Sequence, residues 1–392
     1  MNQIEVCSKY IKDKFSNFEE VSTNLFSFKD NDKDKTILIV EEKDEKLFSS
    51  DFELILSEEE KLQNADYYAF CFGGQFYYIK NEDVNNPKFH ILRYLGKYEV
   101  DNSDFAHLGL HTTYSLLQGC QKIEAYIEKA KYLNMKALGI CEKHTLNSCI
   151  KFQNACDDAG IKSIIGEEIK AKIKDTIYTF KLFVKNEKGW KNLISISNII
   201  NVFAKKEEKD YIPFNDLCQC LDDLVVILPN NFPFDEQGIK LRKFDCYYQI
   251  DTIEFLNHDH YFEYLTNIKN YINSKWYNKY PCVLIGDSYY LDKEDKQLQE
   301  TMKKIGDIKE FEFASESQHF KSIDEHIDIF SQFWANNEEQ FDEVVGEAIQ
   351  NTMEIANKCN FQIKFEKLHI PEAIIADEDW NRVLNEEGKY EK

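Results

Sequence analysis

Between Phe105 and Gln118 the chain reads F-A-H-L-G-L-H-T-T-Y-S-L-L-Q. His107 and His111 stand four residues apart, with Gly109 midway. In a strand, residues i, i+2 and i+4 share a face, so this spacing predicts two imidazoles and a gap pointing the same way. A metal-binding strand presents its imidazoles like this, and an ion held there would activate water and neutralise phosphate charge. The middle position offers no donor atom. A closed site needs about three or more donors, and an isolated histidine pair in a strand is more often a satisfied core or surface feature. Further donors must come from elsewhere in the chain.

The same run resembles the opening of the PHP (polymerase and histidinol phosphatase) domain of bacterial DNA polymerase III alpha subunits, which reads H-L-H-x-H-T-x-Y-S-x-x-D-G. The likeness continues in order. Lys129 to Gly139 is similar to that family's helix, turn and second strand. Ala159 to Glu168, A-G-I-K-S-I-I-G-E-E, resembles A-G-I-K-P-I-I-G-x-E. Val184 to Leu193 resembles A-K-N-x-x-G-Y-x-N-L, and Val283 to Leu291 resembles V-A-T-N-D-x-H-Y-L. Ala348 to Pro371 is similar to the helix and H-x-P segment that follow the domain. Each motif is weak alone; their order makes the set specific.

The resemblance implies a cluster of metal ions held by His, Asp and Glu at strand ends. The matching donors are His107, His111, Glu168 and Asp287, with Glu142 where an aspartate is usual. Four positions depart: Gly109, Lys143, Thr179 and Tyr289 each stand where a histidine is expected. A divalent site that loses half its N and O donors loses affinity steeply. The expected site is therefore degenerate. It would hold no cofactor, or at most one weakly bound zinc, manganese or magnesium ion. Lys143 is expected to supply the missing positive charge among Glu142, Glu168 and Asp287, which requires it to be paired if buried. His144 beside it is a substitute ligand only if the register slips. No residue is singled out as catalytic.

The elements that must position these groups follow from pattern. The fold class expected is α/β: a PHP-type distorted (β/α)7 barrel, preceded by a small α+β domain and followed by a helical tail. The boundaries fall at residues 1–100, 104–292 and 293–392. In the first region Ile4, Ile11 and Phe15 make a short helical face. Strands are expected at Leu25–Phe28, Ile37–Val40, Phe52–Leu56, Tyr67–Phe72 and Gln75–Ile79, with Gly73-Gly74 as a hairpin turn. From Phe105 strands and helices alternate, which favours a parallel sheet covered on both faces. Strands are expected at His107–His111, Ala137–Cys141, Ser163–Ile165, Tyr178–Val184, Leu224–Leu228 and Cys282–Ile285. Helices are expected at Gln121–Leu133, Leu146–Ala159 (stopped by Gly160), Trp190–Val202 and Asp342–Lys358.

The chain has 392 residues, 43% hydrophobic and 14% aromatic, so it is globular and large enough for two domains. No apolar run nears the roughly 20 residues that cross a bilayer, and the first ten residues lack a signal peptide's basic and apolar regions. Eleven scattered cysteines fit a reducing cytoplasm, bacterial or of a phage-infected cell. Abundant Lys, Asn and Ile fit an AT-rich genome such as a phage's. A net charge of −22 disfavours gripping duplex DNA unaided.

Other motifs have plainer readings. His258-Asp259-His260 reads as a loop entering a helix, with Asp259 as its cap. The Asp-x-Asp pairs at 30–34 and 377–379 lie in a polar turn and an acidic tail, so no polymerase palm is legible. Lys269–Lys279, K-N-Y-I-N-S-K-W-Y-N-K, resembles a single-strand-binding stripe, but a helix with Tyr271, Ile272 and Trp276 packed inward explains it. Two functions compete. One is a replication-associated module with a structural or docking role beside a separately encoded polymerase body or a proofreading exonuclease. The other is a metal-dependent phosphoesterase or 3′–5′ exonuclease using His107, His111, Glu142, Glu168 and Asp287. Whether residues 1–100 carry an activity of their own is not legible.

Overall fold

The computed structural model describes the segments 16–22, 25–30, 33–39, 65–72, 75–80 and 93–95, and residues 98–364 apart from 205, 207–208, 253–257, 307–317 and 334–337. Two compact units are present, Met1–Phe361 and Gln362–Lys392.

The first sheet joins β1 (Ser16–Ser22), β2 (Leu25–Asp30), β3 (Lys33–Ile39), β4 (Tyr67–Phe72) and β5 (Gln75–Lys80) in sequence order. Four of its five strands were expected. The strand at Phe52–Leu56, the face at Ile4, Ile11 and Phe15, and the Gly73-Gly74 turn lie outside the described residues. Asp66 fastens the parallel β3–β4 pair, accepting from Thr36 N at 2.8 Å and Thr36 Oγ1 at 3.0 Å. A short hairpin, β6 (Arg93–Leu95) and β7 (Tyr98–Val100), follows.

The second sheet curls into a distorted barrel. Its strands are β8 (Ala106–Leu110), β9 (Ala137–Lys143), β10 (Lys162–Ile173), β11 (Thr176–Val184), β12 (Ile212–Pro213), β13 (Leu224–Leu228), β14 (Asp245–Ile250) and β15 (Cys282–Leu284). The order is β15-β14-β13-β11-β10-β9-β8, with β12 on β10. The sheet is not parallel throughout: β11 runs antiparallel to both β10 and β13. Only Lys174 and Asp175 separate β10 from β11, and Lys174 takes φ +54°. A connection this short can only fold back as a hairpin, because a parallel crossover needs a dozen residues or more. The hairpin also stretches the expected Ser163–Ile165 strand to twelve residues.

The ring closes where β8 meets the segment after β15. His111 N donates to Ser288 O at 2.9 Å, and Ser288 N donates to Gly109 O at 2.8 Å. Inside, Ala106, Leu108, Cys141, Ile164, Phe183, Val225, Ile227, Val283 and Ile285 form one buried cluster. Around the sheet pack α1 (Ile123–Tyr132), α2 (Cys149–Ala159) and α3 (Glu187–Asn198), which runs on as a π-helix over Ile199–Ala204. Gly160 ends α2 at φ +70°, a left-handed backbone that glycine adopts without a Cβ penalty. Then come α4 (His258–Ile272), α5 (Lys296–Ile305), α6 (Ile323–Phe333) and α7 (Glu338–Lys358).

Val345, Ala348, Ile349, Thr352 and Ile355 form the apolar stripe of α7, and all five are fully buried. Ile355 and Ala356 join the barrel core, while Thr352 Oγ1 accepts from Ala106 N at 2.9 Å. Burying each such aliphatic side chain stabilises the fold by about 1.5–3 kcal/mol, so this helix locks the strand that carries the histidines. Among the described residues no helix is long and apolar enough to cross a membrane.

Candidate functional site

Ring closure builds the site. The two hydrogen bonds between Ser288 and the end of β8 set Asp287 against Gly109 and His111. A Cβ on Gly109 would sit 2.5 Å from Asp287 Oδ1, so the missing side chain is what lets Asp287 enter. Across the β10–β11 hairpin, Glu168 stands opposite Lys181 in register. Lys181 Nζ lies 3.0 Å from Glu168 Oε2 and 3.0 Å from Asp287 Oδ2. This lysine is only 3% exposed. Burial opposes its charge, but Asp287 and Glu168 outweigh burial and hold the ammonium well above the ordinary lysine value. Burial likewise opposes ionisation of Glu168 and Asp287, and Lys181 outweighs it, holding both carboxyls below the usual carboxylate range.

His111, Glu168 and Asp287 come together: among the described residues they form a group with one donor atom each within 4.8 Å of one another. His111 Nε2 faces Asp287 Oδ1 at 3.5 Å and Glu168 Oε2 at 3.8 Å. The Tyr289 ring stacks on His111, centroids 4.2 Å apart and planes nearly parallel at 2°.

The structure does not bring His107 and Glu142 into this group. The β8–β9 register shifts between His107 and Leu110, breaking the simple alternation that would align His107 with His111. The His107 ring stacks on Phe320 at 4.5 Å, and its Nε2 lies 3.1 Å from Ser288 Oγ. Burial first, then the charge of Lys321, pushes its pKa down to about 3, so the ring stays neutral. Glu142 is occupied by the loop after β8. It accepts from Thr112 N at 3.1 Å and from the hydroxyls of Thr112 and Ser115.

Lys143 supplies only part of the expected charge: it pairs with Glu168 but does not bridge to Asp287. Its ammonium is one-quarter exposed, 3.7 Å from Glu168 Oε1, and 5.1 Å from the centre of the Tyr289 ring. The bridging cation is Lys181, which sequence reasoning missed. A signal existed: in Thr179–Val184, T-F-K-L-F-V, one lysine interrupts an apolar strand. Thr179, Lys143, His144, Glu168, Tyr289 and Lys303 line the mouth, a cavity of about 1380 Å³. At His258-Asp259-His260 the structure shows the start of α4, in keeping with a loop entering a helix.

A family model described as the PHP domain matches residues 107–332, more than half of the chain. The chain belongs to the PHP domain family. It is similar to the DNA polymerase III subunit alpha of Halalkalibacterium halodurans, 25% identical over 300 residues, covering 73% of this chain and 26% of that protein. It is also similar to the DNA polymerase III subunit alpha of Borreliella burgdorferi, 28% identical over 321 residues, covering 74% of this chain and 26% of that protein. The chain therefore spans about a quarter of the length of these relatives. Among solved structures, an amidohydrolase from Chromobacterium violaceum aligns with 47% of this chain and 87% of its own, at 8% identity and a TM-score of 0.33.

The residues present do not fit the metal cluster that the family implies. Both carboxylates are already paired with a buried ammonium. A divalent ion about 4 Å from that ammonium would meet roughly 8 kcal/mol of repulsion at an effective dielectric constant near 20. Glu142 is spent on the loop, and His107 faces the Phe320 ring.

Proposed function

We propose that this chain is a replication-associated PHP module in which an ion-pair core replaces the metal core. Its role is structural and docking, serving a replicative polymerase body or a proofreading exonuclease. The observation that carries this reading is Lys181, buried and 3.0 Å from both Glu168 and Asp287. An ammonium there supplies positive charge without Lewis acidity or a bound water, so it can hold the strand ends together but cannot generate a metal hydroxide. Similarity to DNA polymerase III alpha subunits supports the replicative setting.

The test pairs chemistry with binding. The purified chain should cleave neither p-nitrophenyl phosphate esters nor single-stranded DNA with Mn²⁺ or Zn²⁺, and should capture a polymerase body or an exonuclease subunit from cells of its source. Metal-dependent cleavage abolished by His111→Ala would overturn it. A second reading rests on the converging donors of His111, Glu168 and Asp287. They are the remnant from which a single-ion phosphoesterase or 3′–5′ exonuclease would be built, and the same cleavage assay decides between the two.

A further inference from the structure

A second recess lies away from the barrel mouth. It has a volume of about 410 Å³ and is lined by Arg242, Lys275, Trp276 and Lys279. We infer that this recess is a binding site for the phosphate chain of an oligophosphate ligand, with Arg242, Lys275 and Lys279 as its three charge contacts.

The cations come from separate parts of the chain. Arg242 caps the 3₁₀ turn Gly238–Leu241, while Lys275 and Lys279 lie in the turn after α4. Buried aromatic packing fixes these two pieces against each other. Trp276 is 4% exposed, and its ring stacks on Phe234 at 5.9 Å and on Tyr280 at 6.1 Å. Gly238 lies against the indole: a Cβ there would come within 2.9 Å of the ring. Tyr280 Oη donates to Gly238 O at 2.7 Å, and Trp276 Nε1 points at Asp235 Oδ1, 3.3 Å away. The cations are thus mounted on a rigid frame, which reduces the ordering cost of binding.

Their charge is uncompensated. The chain carries a net −22. Elsewhere its lysines are repeatedly matched to acids, as at Lys170–Asp210, Lys174–Glu236 and Lys185–Asp245. No carboxylate of a described residue forms an ion pair with Arg242, Lys275 or Lys279, and Lys275 instead lies 5.2 Å from the centre of the Trp276 ring. Three positive charges on one small recess exceed what a single carboxylate can neutralise. A phosphate chain concentrates several charges in a few ångströms and offers oxygens that the guanidinium fork can take in pairs. With the indole buried, bases cannot stack on it, so recognition falls to the phosphates rather than to a single-strand platform.

The intact chain is titrated by calorimetry with sodium pyrophosphate, ATP, a twelve-residue oligothymidylate and hexaglutamate at matched ionic strength. Pyrophosphate and ATP should bind one to one, with affinity falling as salt rises. Each of Arg242→Gln, Lys275→Gln and Lys279→Gln should weaken binding roughly tenfold, whereas Lys240→Gln should not. Lys240 lies outside the recess and bonds to Asn215. Oligothymidylate binding far tighter than ATP would assign the phosphates to nucleic acid, and comparable binding would assign them to a free oligophosphate. All three lining cations are exposed, so unchanged melting temperatures will confirm that the variants fold. Absence of binding, binding by the three variants as tight as the parent's, or hexaglutamate binding as tightly as pyrophosphate would each overturn the assignment.

Discussion

Glu167 and Glu168 are consecutive residues of one strand, and alternation sends them to opposite sides of the sheet. Glu168 meets Lys181 at 3.0 Å and stays ionised. Glu167 enters the helical layer, where Ser197 Oγ donates to its Oε1 at 2.9 Å and its Oε2 has no partner. Burial pushes its pKa up to about 8. Both side chains are deeply buried. A counter-charge within hydrogen-bond reach, not depth, decides which one carries charge. On the barrel side that counter-charge is a lysine, and the proposed function rests on its standing in for a metal ion.

The largest test of this contrast is Lys181→Met. It leaves two buried carboxylates without their cation and should cost about 3–5 kcal/mol in urea unfolding. It should also create a divalent site, so Mn²⁺ should raise the variant's melting temperature and leave the parent's unchanged. If the parent is stabilised equally, Lys181 is not the charge that keeps metal out.

Next is Glu167→Gln. A carboxyl whose folded pKa of about 8 exceeds its unfolded value supplies stability that is fully present below the unfolded pKa and lost as pH rises through 8. Replacing it should gain up to about 5 kcal/mol at pH 9, gain little at pH 4, and flatten the stability profile between. Glu168 has the opposite sign: its contribution is present above pH ~4 and lost as pH falls through its lowered folded value. Glu168→Gln should therefore destabilise at pH 7 and matter least in acid. Matching profiles for the two variants would erase the contrast.

Glu142→Gln is smaller, about 1–3 kcal/mol, because an amide still accepts a hydrogen bond but loses the charge assistance. Its signature is faster hydrogen exchange at the Thr112 amide, which donates to Glu142. The smallest effect expected is from Lys143→His. It removes a partly exposed ammonium but should confer no tight Zn²⁺ or Mn²⁺ binding. Gly109 and Tyr289 still supply no donor, and Lys181 remains in place.

The strongly periodic parts of the fold were legible. The α7 stripe, β9, β13 and the Gly160 stop follow from apolar spacing and one left-handed position. The β14 strand, D-C-Y-Y-Q-I, was missed because its polar and aromatic mix matches no simple alternation. The site was half legible. His111, Glu168 and Asp287 could be placed by motif, but the cation between them could not, because which lysine is buried depends on the hairpin register pairing Glu168 with Lys181. Local spacing likewise says nothing of the register shift in β8 that parts His107 from His111.

Elemental analysis of the protein, purified without chelator and then dialysed against Mn²⁺ and Zn²⁺, bears most directly on the lysine-filled barrel. It should retain no stoichiometric metal, while Lys181→Met treated in the same way retains an ion. Two or three equivalents of metal on the unaltered protein would contradict it.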